Sequence, residues 1–174
     1  TMSYACLICK AADVGYKVII LLTGMSNLLR SQTQKRLDDY FIGRSNLRKG
    51  ELLGAAKRSI EKARHPVFAT TLIDDFSIVN AKNLGVTLHN INEPIIFIIK
   101  KNVNPLRNLS EWLSDFTEGG TIKKPLLLID DEADNASINT SPNQDKITAI
   151  NNGIRGILAQ FSKSSYVGYT ATPF

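Results

Sequence analysis

The amino-acid sequence predicts an α/β protein of three layers, in which helices cover both faces of a parallel β-sheet. Short apolar runs alternate along the 174 residues with segments of helical periodicity, as parallel strands alternate with crossover helices. Several runs are continuously apolar, which is typical of strands buried on both faces of a parallel sheet. The run at 126–129 leads directly into Asp130, Asp131, Glu132 and Asp134, so this strand delivers acids to the edge of the sheet.

The first part of the chain predicts two helices on either side of a buried strand. An opening helix extends to about Ala12 and is stopped near Gly15, and residues 17–24 form a strand that ends in a glycine turn. Ser26 or Asn27 can cap the helix that follows. The apolar positions of that second helix include Leu28, Leu29 and Leu37.

The middle of the chain predicts a loop, two helices and two further strands. Residues 44–51 are basic and contain glycine, which indicates a surface loop, and residues 51–64 form a helix with a cationic face. The strands are expected at 67–72 and 94–100, and a short amphipathic helix at 106–113.

The last part of the chain predicts a strand, a crossover helix and a parallel strand. Residues 147–161 carry apolar side chains at helical spacing, and residues 165–174 form a β-prone run that contains Thr170 and Thr172. Such βαβ units are right-handed in nearly all proteins. The acids and the two threonines are therefore expected side by side at one edge of the sheet.

Adjacent carboxylates at a strand end predict a nucleotide site. Ligands of open α/β sheets bind outside the carboxyl ends of the strands. Buried charges are costly unless they are paired or bind a metal, so clustered acids suggest Mg²⁺ and phosphate. In a nucleotide hydrolase, Asp131 would hold Mg²⁺ and Glu132 would orient or deprotonate the attacking water. The alternative is a strand end followed by a solvated acidic turn.

Two short segments resemble the motifs of a known superfamily. Residues 131–134 (Asp-Glu-Ala-Asp) and 170–172 (Thr-Ala-Thr) resemble motifs II and III of the superfamily 2 helicases. Longer segments resemble the Z-one domain, a helicase-like domain of proposed endonucleases from restriction-type systems; they are residues 10–17, 41–44, 129–137 and 166–174. This resemblance implies a RecA-like lobe of the P-loop NTPase type over residues 1–174, an ATP-driven motor that acts on DNA, and ATP and Mg²⁺ as cofactors.

The resemblance also implies roles for further residues. Asp134, Thr170 and Thr172 would couple the nucleotide site to the DNA-facing side. Residues 23–32 resemble helicase motif Ia, and residues 100–102 occupy the place of motif Ib. The nucleic-acid-binding residues expected from these two motifs are Asn27, Arg30, Gln32, Lys100, Lys101 and Asn102. Ordinary helix caps and a solvated lysine pair are the alternative.

One part of the expected machinery does not occur in the sequence, which contains no G-x-x-x-x-G-K-[ST] phosphate loop. In the family, a strand and this loop precede the helix that corresponds to the opening helix here. Thr1 falls where the final Ser/Thr of the loop would stand, as a Mg²⁺ ligand; a residue left by cloning is the alternative. The chain is therefore expected to start just after the phosphate-loop lysine and to end at motif III. A second RecA-like lobe of the same protein would be its partner.

Composition and cysteine content limit other functions. The net charge of +5 is compatible with nucleic-acid binding and equally with a solvated surface. No apolar run approaches the roughly 20 residues of a membrane span, and no signal peptide is evident, so a cytoplasmic protein is expected. Cys6 and Cys9 have no second pair with which to form a zinc site, so we expect them to pack as small hydrophobic residues in the core.

The sequence thus predicts part of an ATP-dependent DNA helicase or translocase that serves an endonuclease. Its partners would be DNA, the second lobe, and nuclease or restriction-system subunits. The isolated chain is expected to hydrolyse no ATP, because the phosphate loop and second lobe are missing from it. Three alternatives stay open: a nuclease with its own acid–acid–lysine cluster, a nucleotide-switch ATPase, and a catalytically inert structural lobe.

Overall fold

A five-stranded sheet, parallel throughout, forms the middle layer of the protein in a computed structural model. The structure describes residues 2–44, 51–54, 66–83, 85–89, 91–134 and 144–170. The sheet order is β2-β3-β1-β4-β5. The strands are β1 Val18–Thr23, β2 Val67–Phe68, β3 Ile95–Lys100, β4 Leu126–Asp131 and β5 Ser164–Tyr169.

Helices cover both faces of this sheet, as the sequence predicts. They are α1 Met2–Asp13, α2 Asn27–Leu37, α3 Ile78–Asn83, α4 Val103–Ser114 and α5 Gln144–Ala159. A π-helical turn, Asp38–Ile42, continues α2 and ends at Gly43, whose left-handed backbone (φ 71°) favours glycine. The predicted three-layer α/β class is confirmed, and the arrangement is consistent with a RecA-like fold.

Two apolar cores lie on opposite faces of the sheet. On one face, α3, α4 and α5 pack over alternate strand residues such as Ile20 and Phe97, and Trp112 of α4 contacts the Phe97 ring. On the other face, α1 and the end of α2 pack over Ile19 and Ile96. Because side chains alternate across a strand, β1 contributes to both cores, and it is apolar at every position from Val18 to Leu22.

The strand order brings three carboxyl ends together at the centre of one sheet edge. β1 lies between β3 and β4, and Leu22 is in register with Ile99 on one side and with Asp130 on the other. The residues that follow these strands therefore meet at the end of β1. This is the edge at which open α/β sheets bind their ligands.

The second helix packs differently from its prediction. Leu28 is 66% exposed and Leu29 is also exposed, whereas the buried face of α2 carries Arg30, Thr33 and Gln34 beside Leu37. Internal hydrogen bonds make this polar face possible: Thr70 donates to Gln34 Oε1 at 2.8 Å, and Gln34 Nε2 donates to the Asp38 carboxylate at 2.9 Å. Leu28 and Leu29, two of the apolar positions of this helix, therefore lie on its exposed face.

Other predictions are corrected or lie outside the described residues. The strand expected at 67–72 is only two residues long, and α3 was not predicted. Of the helix expected at 51–64, only residues 51–54 are described, and Leu52 there pairs with Arg44 in an antiparallel bridge. Cys6 is exposed and Cys9 half-buried, so the prediction that both pack in the core is wrong.

No helix in the described part of the chain has the length and apolar character required to cross a bilayer.

Candidate functional site

The acids at the end of β4 form a tight turn beside the end of β5. Asp131 is the last residue of β4 and is half-buried, Glu132 is exposed, and Ala133 is buried. The Ala133 N–H donates to the Tyr169 carbonyl at 2.8 Å, which ties the turn to β5. The acids thus lie beside the strand that leads to Thr170, as the βαβ unit predicts.

The backbone of this turn is unusual at Glu132. Its φ of 59° makes it the one non-glycine residue with positive φ in the described ranges. A side chain in this left-handed conformation costs roughly 1–3 kcal/mol, and surrounding contacts must maintain it. Such local strain is concentrated at functional sites, which makes Glu132 the residue of the turn with the strongest geometric indication of a role.

Gly24, directly after β1, receives the Glu132 carboxylate. A Cβ atom built on Gly24 would lie 2.6 Å from Glu132 Oε2 and 3.2 Å from Glu132 Cδ. The carboxylate therefore rests against backbone that only glycine leaves open. A glycine that follows a buried strand is the sequence signal for this contact, although sequence alone does not show which side chain approaches it.

A buried ion pair lies beneath the acidic turn. Lys101 Nζ is 2.6 Å from Asp130 Oδ1, and the two side chains are 1% and 0% exposed. The Tyr166 hydroxyl donates to Asp130 Oδ2 at 2.9 Å. Burying two charges is costly unless additional hydrogen bonds satisfy their remaining atoms. This pair was not predicted from the sequence, in which Asp130 has no assigned role and Lys101 is expected on the DNA side.

The Lys101 ammonium also holds the backbone of the turn. Its Nζ donates to the Asp131 carbonyl at 3.0 Å and to the Glu132 carbonyl at 2.6 Å. The backbone N–H of Lys101 donates to the Thr23 carbonyl at 3.0 Å, which fixes the residue at the end of β1. One side chain that follows β3 thus reaches past β1 to the strand end that carries the acids.

Two of the predicted nucleic-acid-binding residues are internal. Lys101 is buried in the ion pair, and Arg30 is 1% exposed and donates to the carbonyls of Thr71 and Leu72 at 2.8 and 3.0 Å. Burial lowers the pKa of Arg30, and the negative charges of Asp75 and Asp74 oppose that shift. In this structure neither Lys101 nor Arg30 presents its charge at the surface, where a nucleic acid would bind.

The other predicted contacts lie nearer the surface. Asn27 and Gln32 on α2 are exposed, and Lys100 and Asn102 are half-buried at the end of β3. Lys100 Nζ lies 3.9 Å from Asp75. Burial raises the pKa of Asp75, against the effect of hydrogen bonds from the Phe76 and Lys100 N–H groups and of the Arg30 and Lys100 charges.

The remaining predicted residues are only partly described. Thr1 and Thr172 lie outside the described residues. Thr170 is exposed just beyond β5, and Asp134 is half-buried at the end of the acidic turn. The structure thus brings β5 to the turn, while the proposed coupling of Asp134 to the threonines stays a prediction.

The site can contribute a single carboxylate to a magnesium ion. In the part of the chain that the structure describes, no three acidic, histidine or cysteine side chains converge as a ligand set. Mg²⁺ does not need such a cage, because proteins commonly bind it through one or two carboxylates, water and substrate phosphates. Asp131, half-buried at the strand end, suits that mode of binding.

Comparisons of the chain with protein-family models, curated proteins and solved structures gave no match. The likeness to helicase motifs therefore stays a prediction from the residues, and the geometry of the site carries the functional argument.

Proposed function

We propose that this chain is the first motor lobe of an ATP-dependent DNA helicase or translocase that serves an endonuclease. The observation that carries the proposal is the acidic turn, where Glu132 leaves β4 in a left-handed conformation directly after Asp131. A solvated acidic turn has no need of a strained backbone or of a glycine that accommodates a carboxylate. Both features suit a catalytic carboxylate, because its position is best fixed before the substrate binds.

The two exposed acids have separate roles in this proposal. Asp131 would contribute a ligand to Mg²⁺, which would supply neutralising charge to the phosphates. Glu132 would accept a hydrogen bond from the attacking water and take its proton as the water oxygen bonds to the γ-phosphorus and ADP leaves with the β–γ bridging oxygen. Gly24 leaves room for the Glu132 carboxylate at the end of β1, in the centre of the sheet.

The topology is compatible with a phosphate loop at the same edge of the sheet. The connection from β1 to β2 runs through α2, and α1 packs on the same face of the sheet. Right-handed βαβ connections whose helices pack on the same face of a sheet move along the strand order in the same direction. A parallel strand before α1, as the resemblance implies, would therefore lie beside β5. Its loop would then stand two strands from the acids, with the carboxyl end of β5 between them.

The observed lysine–acid cluster does not favour the nuclease alternative. One lysine and two acids meet here, Lys101 with Asp130 and Asp131. A metal-dependent nuclease needs this combination of residues. Lys101 and Asp130 are both buried and paired with each other, so neither can reach a scissile phosphate. We infer that any cleavage is performed elsewhere in the assembly, and that the protein works in the cytoplasm beside DNA.

DNA-stimulated ATP hydrolysis tests this function. A longer protein that joins this chain to a phosphate loop and a second lobe is expected to hydrolyse ATP and to do so faster with DNA. The 174-residue chain alone is expected to be inactive. The second lobe would supply an arginine finger, and such a residue by itself accounts for about 10³–10⁵ in rate. Turnover by the chain alone at the rate of a complete motor, or no turnover by the longer protein, would contradict the proposal.

A further inference from the structure

We propose that Lys101 is a positioning residue, whose buried ammonium group holds the left-handed turn that sets the Glu132 carboxylate against Gly24. The catalytic consequence of this inference rests on the proposed function, since it takes Glu132 as the group that activates water. The structural part, that Lys101 maintains the turn, stands on the contacts alone.

The contacts of the Lys101 ammonium group point to this role. Among the described residues, its Nζ donates to the Asp131 and Glu132 carbonyls and forms an ion pair with Asp130 Oδ1. A solvated lysine would need none of them. The side chain is instead 1% exposed and lies under the turn, between the strand ends of β3 and β4.

The two carbonyls can meet one ammonium group only if the strand geometry is broken. In an extended strand, the carbonyl groups of successive residues point to opposite sides of the strand. The carbonyls of Asp131 and Glu132 converge on the same nitrogen, which the positive φ of Glu132 makes possible. The ammonium group thus stabilises the left-handed conformation directly, and offsets part of its cost.

Asp130 keeps this cation in the interior. Its carboxylate neutralises the Lys101 charge, and its second oxygen accepts a hydrogen bond from Tyr166. Asp130 and Asp131 therefore differ in function although they are adjacent. The alternation of side chains along β4 directs the first inward to Lys101 and leaves the second half-buried at the edge.

A double variant separates positioning from mere stability. Lys101→Met alone would leave the Asp130 charge buried without its partner, so the informative variant is Lys101→Met with Asp130→Asn, which removes both charges. Lys101→Arg is the second variant. It keeps the pairing with Asp130, but a planar guanidinium cannot reproduce the tetrahedral donors of an ammonium group. Lys17→Met is the matched control, because Lys17 Nζ also donates to a carbonyl, that of Asn92, at the opposite edge of the sheet.

Amide hydrogen exchange of Ala133 is the first measurement, because its N–H bonds to Tyr169 only while the turn is formed. We expect Ala133 to exchange at least about tenfold faster in the double variant and in Lys101→Arg, with β1 amides still protected. Lys17→Met should leave Ala133 unchanged. Unchanged Ala133 exchange in Lys101→Arg, or in a folded double variant, would overturn the proposal.

ATP hydrolysis by the longer protein is the second measurement. In the double variant, we expect kcat to fall to the level of Glu132→Gln while KM for ATP changes by less than about threefold. A purely structural loss would instead lower the melting temperature and the active fraction together. Wild-type kcat in the double variant would overturn the positioning role. If ATP turnover by the longer protein did not depend on Glu132, the proposed function would be overturned. The hydrogen exchange of Ala133 would still decide the structural role of Lys101.

Discussion

Glu132 and Gly24 are the residues on which the geometry of the acidic turn most directly depends. Glu132 supplies a carboxylate on a left-handed backbone, and Gly24 supplies the open space that receives it. Neither feature is visible in a motif string. The sequence shows an acid and a glycine more than a hundred positions apart, and only the pairing of β1 with β4 brings them together.

A methyl group at Gly24 is expected to impair function more than stability. In Gly24→Ala the new Cβ would lie 2.6 Å from Glu132 Oε2, and the carboxylate would swing away because it ends a flexible side chain. We expect the free energy of unfolding to change by less than about 1 kcal/mol, and ATP turnover of the longer protein to fall at least about tenfold, since misplacement of a reacting group is costly.

Gly156→Ala is the matched control for this substitution. Gly156 is exposed on α5, and a Cβ there would have no atom within 4 Å. Alanine in a helix is favoured over glycine by about 0.5–1 kcal/mol, so this variant should be slightly more stable and fully active. Urea unfolding and steady-state ATPase assays measure both effects. Full activity of Gly24→Ala would show that the Glu132 contact with Gly24 does not matter for turnover.

At the scale of secondary-structure elements, α2 shows a helix whose buried face is polar. Thr70, Gln34 and Asp38 form a chain of hydrogen bonds inside the protein. Burial raises the pKa of Asp38 to about 6, against the hydrogen bond from Gln34 and with a small contribution from the Asp39 charge. The folded protein therefore binds the Asp38 proton more tightly than the unfolded chain, in which the pKa is near 3.8.

This shift gives the stability of the protein a defined dependence on pH. The stabilisation from protonated Asp38 is fully present below the unfolded pKa and is lost as pH rises from about 4 through about 6. Asp38→Asn remains uncharged and can still accept the Gln34 hydrogen bond. We therefore expect the stability of the variant relative to wild type to be greater at pH 7 than at pH 4. Urea unfolding at both pH values tests this, and an equal difference at the two values would contradict it.

The elements that could be predicted from sequence are those whose pattern has one physical cause. The strands β1, β3 and β4 begin with four or five apolar residues because both faces are buried there, and their predicted positions agree with the structure within two residues. The orientation of α2 could not be predicted, because Arg30 and Gln34 are buried through partners on the segment after β2. The Lys101–Asp130 pair was missed for the same reason, since it depends on strand order.

At the scale of the whole molecule, the site is a consequence of placing β1 between β3 and β4. Each of these strands ends at the same edge with one component of the site: Gly24 after β1, Lys101 after β3, and the acids at the end of β4. The scaffold is rigid because both faces of the sheet are covered by apolar cores. Sites on such elements hold their geometry better than sites on long loops. We therefore expect the acidic turn to be formed before ATP binds.

The most direct test of this account is γ-phosphate release by Glu132→Gln under single-turnover conditions, with ATP, Mg²⁺ and DNA bound to the longer protein. The amide keeps the shape of the carboxylate and cannot accept a proton, so we expect the rate to fall by about 10²–10⁴ with little change in ATP affinity. Glu118→Gln, which changes an exposed acid away from the turn, should keep the wild-type rate. A wild-type rate in Glu132→Gln would contradict the catalytic role of the acidic turn.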